Sequence, residues 1–269
     1  MHIAQISDTH IKARNVRLFG SINVYQHFQQ LVARIEALEP KPDLVIHTGD
    51  ITNDGEVADY EAAMDCLSQL SMPVFVTLGN HDRREAARVG LNALPGIPGS
   101  GPFAYAIEDF PVRIVMADTL VEGAPHGKLG QAQLRWLDDT LRAAPDKPTL
   151  IGLHHPPFDT GIGFMDQIGL HDKSALAEVV AGQTQVKGVL AGHVHRPFTA
   201  AFAGTIAMIC PGSAHQVAVD FTDGSPDGWT SDPPGFLLHQ WNGKELVSVE
   251  LPVAVSPTAP FSDDHLTVG

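Results

Sequence analysis

The chain is poor in cysteine and in cations. Cys66 and Cys210 are its only two cysteines in 269 residues. They are too few and too far apart for a CxxC zinc site or a secreted disulfide framework, and a reducing cytoplasm fits them. Lys and Arg number 17 against 31 Asp and Glu, a formal net charge of −14. Binding a nucleic acid polymer depends on clustered cations that release counterions, so that partner is disfavoured and only a local positive site can hold phosphate. No run of about 18 apolar residues is there to span a membrane. The opening Met1-His2-Ile3-Ala4-Gln5-Ile6-Ser7-Asp8 meets polar residues at once, without the basic start and apolar stretch of a signal peptide. Internal repeats and low-complexity tracts are also missing.

What is present describes a globular, loop-rich protein: 43% hydrophobic residues, 25 Gly and 20 Pro. At this length one large α/β core is plausible. Short apolar runs alternate with helical periodicity. Strands are expected at Ile3–Ser7, Asp43–His47, Pro73–Thr77, Thr149–Leu153 and Gly188–Ala191, and helices at Ile22–Leu38, Glu56–Leu70 and Gln131–Leu141. Such alternation predicts parallel strands. Phe103–Glu108 and Val112–Ala117 read as an antiparallel hairpin, and Thr205–Cys210, Phe236–Trp241 and Leu246–Leu251 as further strands. The second half is therefore expected to be richer in β structure. Asp220–Pro234 is turn-rich and Ser256–Gly269 reads as a loosely held tail.

The 14 histidines need an explanation. Five strand ends carry Asp8-x-His10, Gly49-Asp50, Gly79-Asn80-His81, His154-His155-Pro156 and Gly192-His193-x-His195. Ligands of open α/β sheets bind at the carboxyl ends of strands, so these blocks can converge although they lie far apart in sequence. Imidazole, carboxylate and amide oxygen without thiolate suit Mn, Fe, Co, Ni or Zn. Asp8, His10, Asp50, Asn80, His154, His193 and His195 make seven donors, too many for one tetrahedral zinc and about right for two ions sharing a carboxylate. Gly49, Gly79 and Gly192 each precede a donor, where a sharp turn is expected to expose it.

In this order the blocks resemble the signature of the metallophosphoesterase (calcineurin-like) superfamily: DxH, GD, GNH, H and GHxH. The resemblance covers about Met1 to Val217. Ser7-Asp8-Thr9-His10, His154-His155-Pro156-Pro157 and Pro211-Gly212-Ser213-Ala214-His215-Gln216-Val217 resemble the bacterial class III cyclic-nucleotide phosphodiesterase and glycerophosphodiesterase branch. Arg17-Leu18-Phe19-Gly20-Ser21-Ile22-Asn23-Val24 resembles its glycerophosphodiesterases in particular. The resemblance implies an α/β fold of two mixed β-sheets packed as a sandwich and flanked by helices. It implies a catalytic domain over residues 1–217, with 218–269 as a small β-rich cap and dimerisation segment integrated with the core. The expected activity is hydrolysis of small phosphate diesters such as glycerophosphodiesters, with 3′,5′-cyclic nucleotides as the alternative and a nuclease behind both.

The same resemblance implies two divalent ions (Fe, Mn, Co or Zn), one held by Asp8, His10 and His195 and the other by Asn80, His154 and His193, with Asp50 bridging. Hydroxide drawn from a shared water would attack phosphorus in line. His81, Asp50 and Asn80 form the expected catalytic set, with His81 protonating the leaving alkoxide or bonding a phosphoryl oxygen. His215 and Phe19 are expected beside it on the substrate. A homo-oligomer, at least a dimer, is expected, with partner residues near the mouth of the site.

Other histidines, His27, His47, His126, His171 and His239, match no motif and read as core or surface residues. His155 is open between supporting a ligand and a plain loop role. Arg83 and Arg84 are open between phosphate contact and solvent, and Phe164 between a pocket wall and packing. Pro156–His171 is long for a connection beside a ligand and is expected to shape the substrate site.

Overall fold

The computed structural model of the chain describes residues 1–14, 16–222 and 224–257. In chain order the elements begin with β1 (His2–Ile6), α1 (Val24–Glu36), β2 (Leu44–Thr48), α2 (Val57–Leu67), β3 (Val74–Thr77) and α3 (Arg84–Gly90). The chain continues through β4 (Tyr105–Ile107), β5 (Arg113–Met116), α4 (Gly130–Arg142), β6 (Thr149–Gly152), α5 (Gly163–Gln167), α6 (Lys173–Val180) and β7 (Val186–Ala191). It closes with β8 (Phe198–Phe202), β9 (Thr205–Ile209), β10 (Gln216–Val217), β11 (Trp229–Thr230), β12 (Gly235–Trp241) and β13 (Leu246–Pro252).

Two mixed sheets result, in the orders β13-β12-β1-β2-β3 and β4-β5-β6-β7-β9-β8, with β10 and β11 forming a small separate ribbon. Strand alternation decides which residue faces which layer. Ile3, Leu44 and Ile46 join Ile114, Met116, Leu150 and Leu190 in the cluster between the sheets. Their neighbours Ala4, Ile6 and Val45 pack with Phe28, Leu31 and Ile35 of α1, while Val115, Ile151 and Val189 pack with Leu137 and Leu141 of α4 and Leu176 and Val180 of α6. Strands buried on both faces explain why the runs read as continuously apolar. The sandwich flanked by helices is thus as expected.

Polar bridges cross the two sheets. Gln5 Nε2 donates to Thr48 Oγ1 at 3.1 Å and to the Ala191 carbonyl at 2.9 Å, while Thr77 Oγ1 donates to the Ala117 carbonyl at 2.9 Å. His239 completes this network with Nε2 3.0 Å from Gln5 Oε1 and Nδ1 2.7 Å from Ser248 Oγ. Burial holds the His239 imidazole down to about 3. A group whose folded value lies below its unfolded value of about 6.5 stabilises the fold above that value, and the contribution is lost as pH falls. Relative to His239→Gln, the wild-type protein is therefore expected to lose about 2–3 kcal/mol between pH 7 and 4.5. Parallel urea titrations giving a constant difference across that range would overturn this.

Several boundaries differ from the sequence reading for local reasons. Ile22 pairs with Leu18 in a bridge, and Asn23 caps α1 by accepting the Gln26 amide at 3.1 Å, so the helix begins later than expected. The short α3 and α6 and strand β8 were not legible. The turn-rich Asp220–Pro234 contains β11, which pairs with β10 in the register Gln216↔Thr230 and Val217↔Trp229. β12 and β13 complete the first sheet against β1. Of the expected tail, residues 258–269 lie outside the described residues. No helix among the described residues is long and apolar enough to cross a membrane.

Candidate metal centre and substrate cleft

The loops after β1, β2, β3, β6 and β7 bring all seven predicted donors together, six of them buried and Asn80 half-buried. Asp8, His10, Asp50, His193 and His195 hold positive φ, between 43° and 73°. Such backbone costs roughly 1–3 kcal/mol per residue and persists where surrounding structure enforces it, typically at functional sites. The expected role of the glycines needs a correction here. At Gly79 and Gly192 the requirement is clearance: a Cβ would lie 2.2 Å from Asp50 Oδ1 at Gly79 and 2.0 Å from Ser7 Oγ at Gly192. Only Gly49 of the three carries the positive φ itself, at 95°.

The donor atoms face one another in a way that calls for cations. His195 Nδ1 donates to the His215 carbonyl at 3.2 Å, which leaves Nε2 as a lone pair. That lone pair points at Asp8 Oδ1, 3.4 Å away, and lies 3.1 Å from His10 Nε2. His154 Nδ1 likewise donates to the Thr48 carbonyl at 2.8 Å. Its Nε2 then faces Asn80 Oδ1 at 3.2 Å and Asp50 Oδ2 at 3.3 Å, and His193 Nδ1 approaches the same Asn80 oxygen at 3.1 Å. Asp50 Oδ2 also lies 3.6 Å from His10 Nε2, so one carboxylate sits between the two histidine groups. Buried lone pairs converging without donors are unfavourable unless a cation neutralises them. The residues therefore fit a pair of divalent ions.

Electrostatics follows the same lines. Burial drives the Asp8 carboxyl up, and Asp50 adds to the rise. Burial also works against charge on His154, yet Asp50 and Asp8 hold its imidazole up to about 9. A proton on His154 can thus balance the carboxylates until a metal ion displaces it. His193 and His10 are pushed well below their ordinary range by burial and by neighbouring imidazoles, which keeps them in the neutral form a metal ligand needs.

His155 belongs outside the donor set although it lies within reach of His154 and His193. Its Nδ1 is 2.8 Å from Thr119 Oγ1 and its Nε2 is 3.1 Å from the Pro125 carbonyl, so both nitrogens are engaged. Its ring lies 4.4 Å from that of His193, which it buttresses. Arg84 is committed elsewhere: its guanidinium grips Asp118 at 2.7 and 3.0 Å and the Leu120 carbonyl at 2.7 Å. Neither Arg83 nor Arg84 lines the cleft.

Over the donors opens a cleft of about 680 Å³. His81 stands on its wall, with Nδ1 donating to the Asn53 carbonyl at 2.9 Å and its amide donating to Asp50 Oδ1 at 2.8 Å. Burial disfavours charge on this ring, but Asp50, the Asn53 carbonyl and Asp82 raise its pKa above the ordinary value. His215 flanks His195 with ring centroids 4.5 Å apart. Phe19 stacks on Trp229 at 5.2 Å and meets His215 edge-on at 5.5 Å. The segment Pro156–His171 contributes Phe164, Met165 and Ile168 to the lining, and Lys12 and Arg17 are the Lys and Arg side chains of the cleft.

Sequence reasoning missed Asp82 and Trp229. Asp82 is buried and accepts from the Ile51, Thr52 and Gly79 amides at 2.9–3.1 Å and from the Thr52 and Tyr60 hydroxyls. It binds the Asp50 loop to the Asn80 loop, and its place directly after Asn80-His81 was the available signal. Trp229 sits in a turn-rich stretch where no local pattern marks it.

The calcineurin-like phosphoesterase family profile matches residues 1–197. A probable glycerophosphodiester phosphodiesterase, GpdQ, of Arcobacter nitrofigilis is 33% identical, over 91% of this chain and 90% of that protein. A probable cyclic nucleotide phosphodiesterase of Rhodopseudomonas palustris is 36% identical, over 88% of this chain and 86% of its own length. Among solved structures, a dimetal phosphatase from Danio rerio superposes with a TM-score of 0.69 at 16% identity, covering 95% of this chain and 99% of that one. That likeness concerns the fold.

Proposed function

The chain belongs to the calcineurin-like phosphoesterase family, and from that premise we propose that it is a binuclear-metal phosphodiesterase acting on small diesters, glycerophosphodiesters first among them. The observation that carries this is the convergence of seven donors, five of which (His10, Asp50, Asn80, His193 and His195) line one cleft, with Asp50 between the two histidine groups. In this assignment Asp8, His10 and His195 would hold one ion and Asn80, His154 and His193 the other, with Asp50 the carboxylate available to both. Fe, Mn, Co and Zn all suit the donor types. Bound there, the ions supply a water of lowered pKa and charge neutralisation at phosphorus.

The residues of the chain do the rest. Thr48 and the His215 carbonyl fix the ring orientation of His154 and His195, Asp82 ties two ligand loops together, and His81 presents Nε2 to the cleft. His215, Phe19 and Trp229 form one wall for the leaving group. 3′,5′-Cyclic nucleotides are the second reading, supported by the relative from Rhodopseudomonas palustris that carries such a name. The −14 net charge opposes a polymer substrate. Kinetics of glycerophosphoethanolamine, glycerophosphocholine, cyclic AMP and a model diester on metal-reconstituted protein test the reading. Turnover of none of the four would overturn it.

The proposal extends to organisation. Residues 1–217 carry the chemistry, and 218–269 serve as cap and oligomerisation segment. Phe19 and Trp229 are exposed, stacked on each other and line the cleft, an apolar surface that suits a partner copy. The protein is expected to be at least a dimer, and light scattering giving a monomer at micromolar concentration would remove this. Both cysteines are free and buried, in keeping with a cytoplasmic location.

A further inference from the structure

The aromatic wall of the cleft is carried by an element too small to hold itself. β10 and β11 are two residues each, and a ribbon of that size is marginal without tertiary support. Phe19, its partner, sits at a positive φ of 50° and is 58% exposed. Neither end of the stack is locally fixed.

Arg196 is placed to fix it. It follows His195 directly, and its guanidinium reaches both strands of the ribbon. Nε donates to the Val217 carbonyl of β10 at 2.6 Å, and Nη2 donates to Thr230 Oγ1 of β11 at 3.0 Å. Nη2 also bonds Asp232 Oδ2 at 2.5 Å, and that carboxylate accepts from Thr230 Oγ1 at 2.8 Å. An exposed Arg–Asp pair alone contributes little. Here the planar fork spans a backbone carbonyl on one strand and a hydroxyl on the other, a geometry an ammonium cannot reproduce. Val217 and Trp229 are register partners, so holding Val217 sets the position of the indole.

We propose that Arg196 is a positioning residue that locks the Phe19–Trp229 wall to the ligand loop, and thereby sets how tightly the cleft holds a bulky leaving group. This rests on the diesterase reading given above. Removing the fork loosens the wall without touching a donor atom. Interactions equal in ground and transition state appear in KM, not in kcat.

The test uses full-length protein reconstituted with Mn²⁺. Arg196→Met is expected to raise KM for glycerophosphocholine roughly tenfold with kcat within about threefold. Dimethyl phosphate, which offers the wall no bulky leaving group, should change in kcat/KM by less than about twofold, with metal content intact. Arg196→Lys, with one donor point in place of two, should recover only part of the loss. Acrylamide quenching of Trp229, isolated by comparison with Trp229→Phe, should rise in Arg196→Met whether or not any diester is turned over. Failure of the diesterase reading would show as an inactive wild type with that quenching change still present. If Arg196→Met does not fold, Thr230→Val and Asp232→Asn loosen the clamp from its far end and should shift KM and quenching in the same direction. Unchanged KM and quenching in folded variants, or loss of bound metal in Arg196→Met, would overturn the proposal.

Discussion

Asp50→Ala is expected to leave the protein unable to hold two metal ions and to abolish turnover. Asp50 Oδ2 lies 3.6 Å from His10 Nε2 and 3.3 Å from His154 Nε2, so one side chain serves both histidine groups. Burial would raise its carboxyl, but His154, His81 and His10 hold it well below the usual carboxylate range. The ionised form is thus the one this pocket selects. Removing it also frees the His81 amide, which donates to Asp50 Oδ1 at 2.8 Å. Loss of an outer partner of a metal ligand costs roughly 10–100-fold in affinity or activity. Loss of a shared ligand should exceed that at both positions together. Metal analysis of the purified variant should find at most one ion per chain, and two tightly held ions would refute the shared position.

His81→Ala should act on chemistry and spare the metals. The backbone amide of residue 81 makes the bond to Asp50, and alanine keeps it. The side chain is anchored through Nδ1 to the Asn53 carbonyl and stands edge-on to His10 with centroids 4.6 Å apart, which leaves Nε2 available on a residue that lines the cleft. A proton delivered from there matters only for a leaving group that needs one. Diesters with alkoxide leaving groups should slow by about 10²–10⁴-fold more than activated aryl esters, the usual range for general acid catalysis. Equal losses for both substrates would assign His81 to phosphate binding. Loss of bound metal would remove it from any role on the substrate.

These expectations rest on residues whose importance was visible before folding. Asp8, Asp50, Asn80, His154 and His193 each stand just past the end of a short apolar run, and His10 and His195 follow two residues further on. A strand end is a local event, and its polar terminus reads directly from the chain. The sandwich was legible for a related reason: strands buried on both faces leave unbroken apolar runs, and helices leave a 3.6-residue stripe, as in Val24, Phe28, Leu31 and Ile35 of α1. The preference for His154 over His155 came from the resemblance, which places the ligand two residues before Pro156. The reason, that both nitrogens of His155 are engaged by Thr119 and Pro125, was not legible.

The amino-acid sequence by itself named the candidate donors, most of the strands and helices that carry them, and the chemistry open to them. These depend on residue type and near-neighbour spacing. Tertiary structure decided what depends on contacts between distant segments. Asp82 became the joint between two ligand loops because the amides of Ile51 and Thr52 arrive from another strand end. Trp229 became a wall of the cleft because Val217 pairs with it and Phe19 stacks on it. Asp8, His10, Asp50, His193 and His195 took up left-handed backbone in loops held by bonds from other strand ends: the Asp8 amide donates to the Gly49 carbonyl and the His10 amide to the Asp50 carbonyl, both at 3.0 Å, and the His193 amide to Asp8 Oδ1 at 3.1 Å. No local pattern encodes such a constraint, since its cost is local while the packing that enforces it comes from elsewhere in the chain.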